Sequence, residues 1–196
     1  MKRKIFTISM LAMMAVASDA QGYIGFRDVR YVYGGYQFKF GMYMDVEHSI
    51  FSEHIGYQKG RLNVGYKHEW KYIDLNAKIY GSSLWNGNYQ DAGLLILGIA
   101  KPFKIWTVDA TVNSHYDTGY GYHTCFSMGT GIKVNKNITM LAHYSTLPEY
   151  RESERRVRVG VNFKVRNLEV QPEVSVPVEG KAKTIRILFG MKYTFK

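Results

Sequence analysis

The segment from Arg155 to Asn167, RRVRVGVNFKVRN, alternates without a break. Val157, Val159, Val161, Phe163 and Val165 fall on one side. Arg156, Arg158, Gly160, Asn162, Lys164 and Arg166 fall on the other. A period of two places successive side chains on opposite faces of a β-strand, so this segment predicts a strand with one apolar and one basic face. Nine more segments alternate in this way: 36–46, 60–67, 72–81, 92–100, 105–113, 125–134, 138–146, 168–176 and 184–195. Segment 92–100, AGLLILGIA, is the most apolar, and its two faces are the hardest to tell apart. A helical period is almost absent.

The connections alternate as well. Long links (47–59, 82–91, 114–123 and 147–155) take turns with tight ones (68–71, 101–104, 135–137 and 166–167). An antiparallel, up-and-down transmembrane β-barrel of about ten strands has this rhythm, with long loops at one end and short turns at the other. A soluble sandwich with crossing connections has no reason for it. Folding tight turns at 166–167 and 135–137 sets Val165 against Leu168, Phe163 against Val170, Lys164 against Glu169 and Ile132 against Met140. The turn at 101–104 sets Trp106 against Ile99. Apolar then meets apolar, as a fixed register requires. Pro172 within segment 168–176 and Pro177 at its end interrupt the donor pattern and predict a bulge or an early end there.

In a membrane barrel the valines face lipid and the arginines the lumen. The inward face then carries Lys39, Arg61, Lys67, Lys78, Lys133, Arg156, Arg158, Lys164, Arg166, Arg186 and Lys192. It also carries Asp45, Glu69, Asp74, Asp109, Glu169 and Glu173, with several glycines between them. A basic lumen network is expected, built on Lys39, Asp74, Asp109, Arg156, Arg158, Lys164, Glu169 and Lys192. Glu169 lies between Lys164 and Lys192, and Asp74 opposite Gly65. Such a lumen favours anions in an open pore. Aromatics collect toward both strand ends: Trp70, Tyr72, Phe103 and Trp106 near the short turns, Tyr116, Tyr122 and Tyr144 near the long loops. Two such girdles mark the two interfaces of a bilayer.

The N-terminus adds the route. Lys2, Arg3 and Lys4 precede an apolar run from Ile5 to Ala17, and Ser18 and Ala20 form a small-residue cleavage site. Residues 1–20 read as a secretory signal peptide, residues 21–35 as an N-terminal lead or plug, and residues 36–196 as the barrel. The net charge of the chain is +10. It falls to +8 once the three bases and Asp19 of the signal are removed. Cys125 is the sole cysteine, which excludes an intrachain disulfide. The bases are spread along strands and not clustered, and the chain is exported, so nucleic acid is not an expected partner. No later apolar run reaches the length of roughly 18 residues that a spanning helix needs.

The closing MKYTFK, an alternating strand with an aromatic beside its end, resembles the C-terminal signature of bacterial outer-membrane β-barrel proteins of the porin-like class. That resemblance implies an outer-membrane location with periplasmic termini, contact with membrane lipid and lipopolysaccharide, and no particular activity. A narrow passive pore for small anionic solutes and a structural or surface barrel are both compatible with it. Neither a cofactor nor a metal is called for. His143-Tyr144-Ser145 resembles the His-x-Ser of outer-membrane lipid A deacylases. This implies an alternative, acyl-ester hydrolysis with Ser145 as nucleophile, His143 as base and Glu154 as its orienting acid. The competing reading of His143 and Ser145 is two polar lumen residues opposite Gly129 and Ser127.

Overall fold

A computed structural model describes residues 20–27, 31–49, 59–84, 90–119, 121–146, 148–149, 152–153, 155–179 and 184–195. The expected signal segment lies almost wholly outside them. The described strands are β1 (Ala20–Arg27), β2 (Tyr31–Phe38), β3 (Met42–Ser49), β4 (Lys59–Glu69), β5 (Ile73–Leu84), β6 (Gln90–Phe103) and β7 (Trp106–Asp117). They continue with β8 (Gly121–Lys133), β9 (Ile138–Ser145), β10 (Pro148–Glu149), β11 (Glu152–Ser153), β12 (Arg155–Val165), β13 (Leu168–Glu179) and β14 (Arg186–Phe195). The short β10–β11 ladder stands apart; the other 12 strands form one closed antiparallel barrel in which each strand pairs with its chain neighbours and β1 closes against β14.

The barrel thus has 12 strands instead of about ten. Residues 21–27 and 31–35 belong to the wall: they supply most of β1 and most of β2, with Gly22 opposite Phe195 and Tyr23 opposite Gly35, so the lead or plug expected over 21–35 is not what these residues form. Their alternation is hidden because tyrosines stand on both faces and Gly34–Gly35 interrupt the pattern. The segment read as one strand over 36–46 contains a turn. The Gly41 amide donates to the Phe38 carbonyl at 3.0 Å, and Gly41 has φ +101°, a region in which a side chain is strained. Alternation by itself cannot register this reversal, because apolar residues at Phe38, Phe40 and Met42 continue the period straight through it.

Elsewhere the register follows the sequence. Val165 faces Leu168, Lys164 faces Glu169 and Phe163 faces Val170 across a two-residue turn in which Arg166 takes φ 54°. Ile132 faces Met140, and Gly129 faces His143. The β6–β7 turn differs. Trp106 pairs with Phe103 and Val108 with Ala100, because a register shift lies between Ala100 and Phe103 where Pro102 supplies no donor. Asp74 stands opposite Glu69, not Gly65. At Pro177 a register shift occurs as expected; Pro172 stays opposite Phe189 on β14, while the β12–β13 pairs pass from Gly160–Glu173 to Phe163–Val170 without it.

Burial is inverted relative to a soluble protein. Ile187 is 81% exposed and Ile79 61%, whereas Glu47 is 7% and Asn63 1% exposed. The outward wall is a continuous aliphatic band, and the polar residues are inside. Exposed Phe40, Trp70, Tyr72 and Phe103 ring its turn end, with Phe103 stacked on Trp106; Tyr116 and Tyr122 stand at its loop end. Only burial in hydrocarbon makes this arrangement favourable.

An inward-outward assignment this definite can be tested on one strand. Val159 faces out between Ala142 and Val174. Val159→Arg is expected to cost roughly 2–4 kcal/mol in a bilayer and to reduce the fraction that resists cold SDS before boiling. Asn162→Ser, on the inward face of the same strand, leaves that fraction unchanged.

Candidate functional site

The lumen is the site, and its design repeats one device. A long polar arm on one strand crosses an inward glycine on the next and is tied to a polar side chain beyond it. Tyr43 crosses Gly65 and donates to Asn76 Oδ1 at 2.8 Å. Tyr80 crosses Gly93 and donates to Asn113 Oδ1 at 3.1 Å. Tyr23 passes Gly35 and donates to Asp45 Oδ2 at 3.0 Å, while Asn63 Nδ2 donates to Asp45 Oδ1 at 2.6 Å. His143 crosses Gly129, which brings its Nε2 to 3.4 Å from Asp109 Oδ2. A Cβ at Gly65, Gly93 or Gly129 would overlap the Tyr43, Tyr80 or His143 ring above it. The glycines let these arms lie flat along the wall instead of projecting into the channel.

Charges pair locally around the wall. Arg27 grips Glu47 through Nε to Oε2 at 2.8 Å and Nη2 to Oε1 at 2.7 Å. Arg61 lies 3.5 Å from Asp91 and 4.5 Å from the centre of the Tyr80 ring, and Ser82 donates to the same Asp91. Lys101 meets Asp74 at 2.5 Å, and Lys67 meets Glu69 at 2.5 Å. Near β13 and β14, Arg27, Tyr33, Arg158, Glu169, Glu173 and Lys192 line a cavity of about 280 Å³ inside the barrel.

The residues expected to form the network take the following positions. Glu169 has Lys164 and Lys192 as its cross-strand neighbours, and Lys164 binds it at 2.7 Å. The Lys192 ammonium instead sits 4.3 Å from the Tyr23 ring centre, because β14 pairs with β1, a strand absent from the sequence-based arrangement. Asp74 takes Lys101 as partner, and Asp109 takes His143. Arg158 faces Ser175 on one side and His143 on the other. Arg156 is buried: its Nε donates to Ser175 Oγ at 2.8 Å and its Nη2 to the Thr184 carbonyl at 2.9 Å, which ties β12 to β13 and to the chain entering β14. Lys39 is in the exposed β2–β3 turn and takes no part in the lumen. Arg166 likewise belongs to a turn.

Several lumen residues escape sequence reasoning. Glu47, Asp91 and Asp117 face inward, as do Arg27 and Lys101, which replace Lys39 and Arg166. The expected positive surplus therefore shrinks by three charges. These five sit in stretches read as loop, turn or lead. The residues of the hydrolase alternative do not assemble. His143 and Ser145 share the inward face, but His143 turns to Asp109 and no hydrogen bond joins it to Ser145, whose neighbours are Ser127 and Arg156. Glu154 lies outside the described residues. Among the described residues no three of His, Cys, Asp and Glu converge to hold a metal ion.

No protein-family model and no curated protein matches the sequence. Solved structures do match the shape. The KdgM porin, seen alone and in complex with disordered oligogalacturonate, superposes with a TM-score of 0.66 at 11% identity, covering 90% of this chain and 99% of that one. The NanC porin covers the same shares at 0.55 and 9% identity. The Pseudomonas putida toluene transporter TodX gives 0.52 at 14% identity over 88% of this chain and 69% of that one. The fold is that of outer-membrane porins.

The glycine-and-arm device predicts two distinguishable losses. Gly93→Val forces Tyr80 off the wall and is expected to lower stability to urea in detergent by about 1–3 kcal/mol, the usual range for overpacking. Tyr80→Phe keeps the ring but leaves Asn113 Oδ1 without its donor, and costs about 1 kcal/mol.

Proposed function

We propose that this chain is a narrow passive pore of the outer membrane, with small anionic solutes among its cargo. The observation that carries this reading is the closed 12-strand wall, apolar outside and polar inside, whose inner arms lie flat over glycines. A barrel of this size has more interior than its side chains fill. The likeness to a porin seen in complex with disordered oligogalacturonate, an anionic sugar, supports the solute class. In this reading residues 1–20 direct export and are removed, the termini and short turns lie on the periplasmic side, and membrane lipid and lipopolysaccharide surround the outward band. A role as a structural or surface barrel is the outcome to be expected if the protein carries no current.

Acyl-ester hydrolysis through Ser145 is disfavoured because no hydrogen bond joins it to His143 and its cross-strand neighbours are Ser127 and Arg156. Incubation with lipopolysaccharide tests it directly: no fatty acid is released, and Ser145→Ala changes nothing.

Planar-bilayer recording tests the pore. Single channels of small conductance with weak anion preference are expected, the preference fading as salt screens the lumen over a Debye length of about 8–10 Å near physiological ionic strength. Glu47→Gln removes the carboxylate charge that offsets Arg27 and raises the anion preference. Arg158→Glu, which adds a negative charge beside uncharged Ser175, lowers or reverses it. Marked cation selectivity in the unmodified protein contradicts this view of the lumen.

A further inference from the structure

Strand β6 breaks the rule that governs the rest of the wall. Its outward side chains Leu94 and Ile96 belong to the aliphatic band, yet the inward positions between them are aliphatic too. Leu95 is level with Lys78 on β5 and Asn113 on β7, Leu97 with Asn76 and Thr111, and Ile99 with Asp74 and Asp109. All three are part-exposed. Among the described residues no other strand places more than one aliphatic side chain on the inward face; Leu141 on β9 and Leu188 on β14 stand singly. Three aliphatic residues in register along the channel axis make a stripe about 14 Å long at the usual rise per strand residue. Exposing it to lumen water is unfavourable, and nothing in the pairing of the strands requires it.

The surroundings define what would cover it. The stripe is edged by amides and hydroxyls, Asn76 and Thr111 at its middle and Asn113 at its head. At the head, Lys78 points inward with no carboxylate in ion-pair range among the described residues, unlike Lys67, Lys101 and Lys164. At the foot, Asp74 is already neutralised by Lys101. One end therefore offers an unpaired cation, the length offers hydrocarbon, and the edges satisfy polar groups.

We propose that Leu95, Leu97 and Ile99, headed by Lys78, form a binding track for amphipathic carboxylates, solutes with one anionic end and an unbranched apolar tail. The carboxylate is held at Lys78 and the tail lies down the stripe. This rests on the pore reading above and narrows its solute class.

Hexanoate and gluconate make the test, since both are six-carbon monocarboxylates and only one has an alkyl chain. In planar bilayers hexanoate is expected to block the ion current at a concentration about tenfold below gluconate, the gain that burying two methylenes supplies. Leu97→Asn raises the half-blocking concentration of hexanoate toward that of gluconate and leaves gluconate unchanged. Leu97→Ala does the same to a smaller extent, should the asparagine variant fail to fold. Lys78→Gln weakens both ligands. Equal block by the two carboxylates, or hexanoate block indifferent to Leu97→Asn, overturns the track while leaving the pore intact. A protein that carries no current overturns the pore instead. Calorimetric titration of the detergent-folded protein with the same two ligands then decides the track by itself: tighter hexanoate binding, lost in Leu97→Asn, supports it, and equal binding ends it.

Discussion

Closure of β1 onto β14 is the constraint on which the rest depends. In hydrocarbon no water satisfies a free strand edge, so every backbone donor and acceptor of the wall must find a partner within the sheet. Pairing Gly22 to Phe26 with the end of β14 removes the last edges. Once the sheet is closed, alternation divides each strand between two solvents. The outward half is tuned to lipid and the inward half to water, which is why leucine and valine are exposed here and glutamate is buried.

Twelve strands also set the space that the inward side chains must share. A smaller barrel fills with them; a wider one leaves a channel. In this chain the filling is directed sideways. Tyr43, Tyr80 and His143 lie along the wall because Gly65, Gly93 and Gly129 have no Cβ to lift them, and Asn76, Asn113 and Asp109 hold their tips. The tethers stiffen the wall and hold these side chains against it. Each tether also spans three strands, so it adds a link across the sheet to the ladder between neighbours.

The lumen charge follows the same local logic. Arg27 with Glu47, Lys101 with Asp74 and Lys164 with Glu169 neutralise one another on adjacent or next-adjacent strands. In the proposed pore, the field left for a passing ion comes from bases without such partners among the described residues, Lys78 and Arg158 among them. Counting formal charges on a face overstates that field. What matters is which cations the cross-strand register leaves unpaired, and the register places the inward face of β6 beside one of these.

The division between sequence and tertiary structure runs along the range of the interactions. A period of two is a property of neighbouring residues, so the sequence by itself determined the long strands from Lys59 onward, the inward and outward faces of all of them but β6, and the registers set by the tight turns at Arg166–Asn167 and Asn135–Asn137; on β6 both faces are aliphatic, and the pairing with β7 turns Leu97 and Ile99 inward. The pairing of Lys164 with Glu169 was legible for that reason. Strand number was not. The Gly41 turn sits inside an unbroken apolar alternation, and β1 and β2 have tyrosine and glycine on both faces, so only their pairing with β3 and β14 identifies them as wall. The partner of His143 lies two strands away, that of Lys192 is on β1, which meets β14 only when the barrel closes, and that of Asp74 is Lys101, in a stretch that the sequence marks as a turn. Side chains that long reach past their immediate neighbours, and which of them meet is decided only when the sheet has twisted and closed.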